Sequence, residues 1–152
     1  MDINTMKILK LFTIGYEGRE IDDFIARLKS NNINRLIDVR EIAISRKKGF
    51  SKSALQAKLE SENIEYVHIP SLGSPSAVRR KLKQDSDYKH FFSSYREHLS
   101  NNLTGIEEAT QYIHGGLSCI MCFERHPEYC HRSTVALTIK ELSVSDLNII
   151  HI

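Results

Sequence analysis

Cysteine is scarce in this sequence, with three residues among 152. Cys119 and Cys122 lie three positions apart in a stretch that predicts one strand, where their side chains point to opposite faces of a sheet. A disulfide between these two is therefore not expected, and an odd number of cysteines does not make a disulfide framework. The cysteine usage predicts a reduced, cytoplasmic protein.

Long apolar runs and a large excess of one charge are also missing. No stretch approaches the roughly 18 apolar residues that suggest a transmembrane helix. Lys7 and Lys10 interrupt the short apolar run near the N-terminus. We therefore expect neither a membrane span nor a secretory signal, and no membrane partner. The 21 basic and 19 acidic residues nearly balance, so net charge does not decide whether nucleic acid is a partner.

The chain does contain an alternation of apolar strands and amphipathic helices. Its hydrophobic content of 41% suffices for one core, and we predict a flexible extension over residues 1–7 and a single domain over 8–152. Segments 9–14, 33–39, 65–69, 117–124 and 148–152 predict strands, and segments near 21–28, 55–59, 78–103, 106–113 and 133–142 predict helices. This order predicts an α/β fold, a mostly parallel sheet of about five strands with helices on both faces, Rossmann-like in architecture.

The segment that ends in the last predicted helix carries the most chemical information. Leu117–Glu124 is almost entirely apolar, as suits a strand buried on both faces, and a loop of charged residues separates it from the helix over 133–142. Cys130, His131 and Arg132 then lie on the first turn of that helix. The free backbone N–H groups and the positive end of the helix favour either a thiolate or a phosphate there.

Polar side chains also follow the other predicted strands. Because the carboxyl ends of parallel strands share one edge of the sheet, we expect these side chains to gather in one crevice. Cysteine is a candidate nucleophile, a carboxylate a candidate acid or base, and a guanidinium matches phosphate or carboxylate groups. The candidates for catalysis are Cys130 and Glu124, and those for ligand binding are Tyr16, Asp38, Arg40, Arg46, His68, His131 and Arg132.

Structural roles remain open for several of these residues. Asp38 and Arg40 can pair with each other, and His68 stands alone in an apolar strand, as a core histidine does. Cys122 suits a small buried side chain.

A metal site is a further alternative, formed by Cys122, Cys130 and His131 with Glu124 nearby. The Cys-x7-Cys-His spacing lacks the two close ligand pairs of ordinary zinc sites. The sequence therefore predicts no metal, and a metal-binding enzyme stays an alternative.

Several short motifs follow one another along the chain. They are Thr13-Ile-Gly15, Asp38-Val-Arg40, Ser45-Arg46 with Phe50 downstream, Tyr66-x-His68 leading to Leu72-Gly73, and Cys122-x-Glu124-x2-Pro127-x2-Cys130-His131-Arg132. Over roughly residues 11–152 this pattern resembles the prokaryotic family called domain of unknown function 488. The resemblance implies an α/β domain and attaches no reaction or cofactor to it. The chain departs from the family pattern at Ser74, where a glycine is usual, and the arginine expected close behind is displaced to Arg79 or Arg80.

Three functions follow from these patterns. The leading hypothesis is an enzyme, or a degenerate one, that binds an anionic small molecule such as a nucleotide, or a nucleic-acid phosphate, in the strand-end crevice. The second is a nucleic-acid-binding module without catalysis, whose basic residues lie in segments 46–58 and 79–83. The third is the metal-binding enzyme. The sequence identifies no cofactor, substrate or oligomeric state.

Overall fold

The computed structural model describes residues 8–143 and 146–152, and the extension predicted over residues 1–7 lies outside them. The strands in these ranges are β1 (Leu9–Gly15), β2 (Arg35–Asp38), β3 (Glu65–His68), β4 (Ser118–Cys122) and β5 (Leu147–His151). The α-helices are α1 (Ile21–Ser30), α2 (Lys52–Ser61), α3 (Ser76–Asp85), α4 (Tyr88–Ser100), α5 (Leu103–Ile113) and α6 (His131–Leu142). Short 3-10 turns at Pro70–Leu72 and Pro127–Tyr129 follow β3 and β4.

The five strands form one parallel sheet in the order β3-β2-β4-β1-β5. This architecture confirms the predicted α/β fold. The apolar β4 lies in the centre, where it pairs with β1 and β2. Its side chains alternate, so that Cys119 and Met121 belong to the core on one face and Ile120 and Cys122 to the core on the other.

Helices cover both faces of the sheet. Phe24 of α1 and Leu55 of α2 pack into one core cluster, while Tyr95 of α4, Ile106 of α5 and Val135 of α6 pack into the other. Helix α3 buries none of its residues. None of the helices in the described ranges is long and apolar enough to cross a membrane.

The helical pattern predicted over 78–103 corresponds to two helices, because the chain breaks between α3 and α4. Ser86 adopts a left-handed conformation with φ of 54° and ends α3. Asp87 then begins α4, since its carboxylate accepts a hydrogen bond from the His90 backbone N–H at 3.0 Å.

The strand predicted over 117–124 is shorter than expected. It ends at Cys122, and Glu124 passes over the end of β1. Gly15 permits this crossing, because a Cβ atom at Gly15 would stand 1.8 Å from the carbonyl oxygen of Glu124. Phe123 and Glu124 therefore lie in the loop after β4 rather than in the sheet.

The carboxyl ends of four strands are level with one another. The register pairs Gly15 with Cys122, and Asp38 with both Met121 and His68. The chain leaves β1 and β2 towards helices on one face and leaves β4 towards α6 on the opposite face. A crevice opens where connections from neighbouring strands depart to opposite faces, and this is where parallel sheets bind ligands.

Candidate functional site

A cleft of about 390 Å³ opens at the carboxyl ends of the strands, and we call it the strand-end cleft. The loops after β1, β2 and β4 supply its walls together with α3 and the start of α6. Of the predicted site residues, Tyr16, Arg40, Glu124 and His131 line it. The complete lining is Tyr16, Arg40, Glu41, Ile42, Ile44, Ser74, Arg79, Lys83, Cys122, Phe123, Glu124 and His131.

Asp38 and Arg40 form a buried ion pair beside the cleft. Arg40 donates from Nε to Asp38 Oδ1 at 2.9 Å and from Nη2 to Oδ2 at 2.7 Å, and the Tyr66 hydroxyl donates to Oδ2 at 2.6 Å. Burial tends to lower the pKa of Arg40, but the hydrogen bond and charge of Asp38 outweigh it and raise that pKa. Burial, reinforced by Asp38, raises the pKa of Tyr66. The structure gives the predicted ligand role of Asp38 no support, because its carboxylate is fully buried and engaged by Arg40 and Tyr66.

Arg40 is fixed by further contacts in the cleft wall. Its Nη1 donates to the Tyr16 hydroxyl at 3.3 Å and to the Phe50 carbonyl at 2.7 Å. With the two bonds to Asp38, these partners occupy four of the five guanidinium N–H groups, and the fifth, on Nη2, has no partner among residues 8–143 and 146–152. The Tyr16 ring stacks on Phe50 with 4.5 Å between ring centroids. Arg40 and Tyr16 thus form one wall of the cleft, held in place by Asp38 and Phe50.

Arg132 lies inside the protein rather than in the cleft wall. Its guanidinium donates to the Thr13 hydroxyl at 3.1 Å, to the Arg125 carbonyl at 3.2 Å and to the Glu124 carbonyl. Burial lowers the pKa of Arg132 below its ordinary value. The structure gives the predicted anion-binding role of Arg132 no support, because the side chain is fully buried and links the loop after β4 to β1 through hydrogen bonds.

Two of the three cysteines are paired, contrary to the expectation of three free thiols. Cys122 at the end of β4 and Cys130 at the start of α6 form a disulfide, and Cys119 is the buried free cysteine. The Cys130 sulfur also caps α6 by accepting a hydrogen bond from the Arg132 backbone N–H at 3.4 Å. The structure therefore does not present Cys130 as an accessible nucleophile, since its side chain is buried and bonded to Cys122.

Two histidines brace the loop after β2. Nε2 of His131 lies 2.8 Å from the carbonyl oxygen of Val39, and Nε2 of His68 lies 2.7 Å from that of Arg40. Because a carbonyl oxygen only accepts, each Nε2 carries the proton. Burial lowers the pKa of His131 to about 4, so its ring in the cleft wall is neutral at pH 7. His68 does not line the cleft and has the structural role that the sequence left open.

Glu124 is the predicted catalytic residue that the structure places in the cleft wall. Its Oε2 lies 3.5 Å from the Cys122 sulfur, and its side chain is half-buried. Burial raises the pKa of Glu124 although the charges of Arg132 and Arg79 oppose the shift. A carboxyl group in this environment is suited to acid or base chemistry.

Arg79 and Lys83 of α3 supply basic groups that the site prediction missed. Arg79 donates to the Glu41 carboxylate at 3.1 Å, to the Ser76 hydroxyl at 3.0 Å and to the Ser74 carbonyl. The hydrogen bond from Ser76, together with Arg79, lowers the pKa of Glu41. The sequence offered one indication of such a group, since the arginine expected close behind Ser74 is displaced to Arg79 or Arg80. In the structure Arg79 lines the cleft and Arg80 does not.

Arg46 is exposed and does not line the strand-end cleft. Its loop is instead held by the hydroxyl of Ser51, which accepts from the Ser45 backbone N–H at 3.0 Å and donates to the Ser45 carbonyl at 3.1 Å. The structure gives the predicted ligand role of Arg46 no geometric support.

Apolar side chains border the cleft and remain open to solvent. Phe123 is 44% exposed, Ile42 54% and Ile44 76%. Exposed apolar groups that adjoin one another mark contact surfaces for ligands or partners. The cleft therefore combines an apolar rim with basic groups and two carboxyl groups, of which Glu41 is paired with Arg79.

A second cleft of about 640 Å³ has three arginines, Arg19, Arg27 and Arg125, and one carboxylate, Asp23, among its lining residues. Burial, together with repulsion from Arg27 and Arg125, lowers the pKa of Arg19. Arg125 directly follows Glu124, so this basic cleft adjoins the loop after β4.

The fold and the site define a parallel α/β protein with a polar cleft at the carboxyl ends of its strands. The family model described as domain of unknown function DUF488 matches residues 20–139, and the chain belongs to this family. No curated protein and no solved structure gives a significant match.

Proposed function

We propose that the protein is an enzyme that binds an anionic ligand with an aromatic part, such as a nucleotide, in the strand-end cleft. The observation that carries this proposal is that Arg79, Lys83 and Glu124 come from different parts of the chain and line the same cleft. Arg79 and Lys83 bind the anion, and Glu124 supplies an acid or base.

The pairing of Arg79 with Glu41 leaves it available to a ligand. Both side chains of this ion pair are about one-third exposed, and such partly exposed pairs contribute roughly 0–1 kcal/mol. A phosphate that accepts two parallel hydrogen bonds from Arg79 therefore displaces Glu41 at little cost. Lys83 adds a second positive charge, and Arg40 adds the N–H on Nη2 that has no partner in the described part of the chain.

The apolar rim indicates that the ligand is more than a free inorganic anion. Phe123 presents an exposed ring to the cleft. Stacking of a nucleic-acid base on an aromatic side chain is worth about 1–3 kcal/mol per base in single-strand complexes and does not depend on the identity of the base. Ile42 and Ile44 extend this surface. A planar base on Phe123 with its phosphate at Arg79 uses both parts of the cleft.

Thermal unfolding with a ligand panel tests the proposal. The panel contains inorganic phosphate, nucleoside monophosphates and triphosphates, and a short single-stranded oligonucleotide. A ligand at 100 times its Kd stabilises the folded state by about 2.7 kcal/mol, or about 5–10 °C in Tm for a chain of this size. The shift is expected in the wild type and Arg80→Met and is lost in Arg79→Met. Arg80 is the matched control, since it is exposed on α3 but does not line the cleft. Equal shifts in both variants, or no shift for any ligand, contradict the proposal.

A nucleic-acid-binding module without catalysis is the second candidate, favoured by α3. This helix buries none of its side chains and carries four basic residues, Arg79, Arg80, Lys81 and Lys83. A face that makes about four phosphate contacts loses about 100-fold in affinity between 50 and 200 mM salt. Fluorescence anisotropy with labelled oligonucleotides measures this. Equal weakening by Arg79→Met and Arg80→Met favours the module, and weakening by Arg79→Met alone favours the cleft.

A further inference from the structure

Four metal-ligating side chains meet where β4 ends and α6 begins. One donor atom from each of Cys122, Glu124, Cys130 and His131 lies within 4.8 Å of every other. Three of these residues are buried, and Glu124 is half-buried at the cleft. The spacing along the chain did not indicate a metal site, because Cys122 and Cys130 are brought together only by the loop between β4 and α6.

His131 is oriented as a metal ligand. Its Nε2 proton is committed to the Val39 carbonyl at 2.8 Å, so Nδ1 carries the lone pair. Nδ1 lies 3.9 Å from the Cys130 sulfur. Metal-binding histidines are commonly held in this way, with the second ring nitrogen donating to a backbone carbonyl.

Arg132 lies directly beside both sulfur atoms. The Arg132 backbone N–H donates to the Cys130 sulfur at 3.4 Å, and Arg132 Nη1 lies 3.5 Å from the Cys122 sulfur. The remaining hydrogen-bond partners of this buried guanidinium in the described ranges are the Thr13 hydroxyl and two carbonyls, all neutral. A metal bound by two thiolates carries negative charge on its sulfur ligands, which this buried cation would stabilise.

The backbone separation also suits two thiolates that share a cation. The Cα atoms of Cys122 and Cys130 are 7.5 Å apart. Disulfides usually join Cα atoms about 4.4–6.8 Å apart. A metal ion between two sulfur atoms accommodates the wider separation, with metal–sulfur bonds of about 2.3 Å for zinc.

We propose that Cys122 and Cys130, when reduced, bind a thiophilic divalent cation such as Zn²⁺ together with Nδ1 of His131. Glu124 faces the remaining coordination position from the strand-end cleft. Two thiolates and one imidazole are a ligand set that holds zinc in hydrolytic centres, where a neighbouring glutamate transfers protons without binding the metal. Such a centre supplies Lewis-acid activation of water. The inference rests on the proposed function for the role of Glu124, while the binding of the metal does not depend on it.

Metal analysis of the full-length chain, purified with a reductant and without oxygen, tests this proposal. Thiol titration of the unfolded, metal-free sample counts reduced cysteines, Zn²⁺ content is measured by mass spectrometry, and affinity by competition with a chelator. Co²⁺ is the second probe, because direct sulfur ligation gives a thiolate-to-metal charge-transfer absorption in the wild type itself. The variants are Cys122→Ser, Cys130→Ser, His131→Gln and Glu124→Gln. The matched controls are Cys119→Ser, a cysteine outside the cluster, and His126→Gln, an exposed histidine in the same loop.

The proposal predicts three reduced thiols and one Zn²⁺ per chain. Cys122→Ser and Cys130→Ser should weaken binding at least about 100-fold, beyond the roughly 10–100-fold cost of losing an outer-shell partner. His131→Gln should weaken it clearly, while Glu124→Gln and the controls should retain the ion. A single titratable thiol under these conditions, no Co²⁺–thiolate absorption, or equal affinity in Cys122→Ser overturns the metal site. Loss of the ion in Glu124→Gln overturns the placement of Glu124 beside an open position.

The variant Arg79→Met separates the two proposals. If it loses the anion and keeps Zn²⁺, both proposals are supported. If wild type binds the anion but no Zn²⁺, the metal proposal alone fails. If the wild type binds Zn²⁺ but no anion, the proposed function fails and the metal site stands.

Discussion

Replacing Asp38 by Asn tests whether the buried ion pair with Arg40 supports the cleft wall. The substitution keeps the shape of the side chain but removes the charge that faces a nearly buried guanidinium at 2.7 Å. Removing one partner of a buried pair costs about 3–5 kcal/mol, because the remaining charge is left without compensation. For a chain of this size that corresponds to a fall in Tm of about 6–20 °C. Urea unfolding followed by circular dichroism measures the free energy of unfolding directly.

A second ion pair on the same two strands provides the matched control. Arg35 and Glu65 pair at 2.9 Å at the opposite end of β2 and β3, but the Glu65 side chain is 53% exposed. Glu65→Gln should therefore cost at most about 1 kcal/mol. In the double variant Asp38→Asn/Arg40→Met, the loss should be smaller than the sum of the two single losses, because no unpaired charge remains. Equal, small losses for Asp38→Asn and Glu65→Gln would refute the reasoning.

Three further predictions concern the frame of the site. Gly15→Ala should lower the stability, because the added Cβ displaces the Glu124 carbonyl that accepts a hydrogen bond from Arg132. Calorimetry should show a lower Tm, and an unchanged Tm contradicts this prediction. His151 has its pKa lowered by burial and by Arg132, so its unfolded form binds the proton more readily. The wild type should therefore lose stability as the pH is lowered below the ordinary histidine pKa of about 6.5. Its Tm should fall more steeply over this pH range than the Tm of His151→Gln. Cys119 is fully buried and burial raises its pKa, so iodoacetamide should label it only after unfolding, as mass spectrometry can show; rapid labelling of the folded chain contradicts its placement.

The fold could be predicted from the sequence because the apolar segments typical of strands are distinct from the amphipathic segments typical of helices. A parallel sheet followed from that alternation, and parallel strands must end at one edge, so the location of the cleft followed as well. Tyr16, Arg40, Glu124 and His131 were predicted for this edge and line the cleft.

Side-chain direction could not be predicted in the same way. Arg132 follows Cys130 and His131 at the start of a helix, and nothing in the residue order says that its guanidinium turns inward to the carbonyls of the β4 loop. Arg79 was missed because it reaches the cleft from α3 after an irregular turn. The pairing of Cys122 with Cys130 depends on how that loop folds back, and the separation of eight residues does not encode it.

Calorimetric titration of the most stabilising ligand from the panel tests the central claim, that the strand-end cleft binds an anion through Arg79. The account predicts that Arg79→Met weakens binding at least about tenfold, equivalent to about 1.4 kcal/mol. Arg80→Met, on the same helix but outside the cleft, should keep the wild-type affinity. Equal affinities in wild type and Arg79→Met, with both proteins folded, would contradict it.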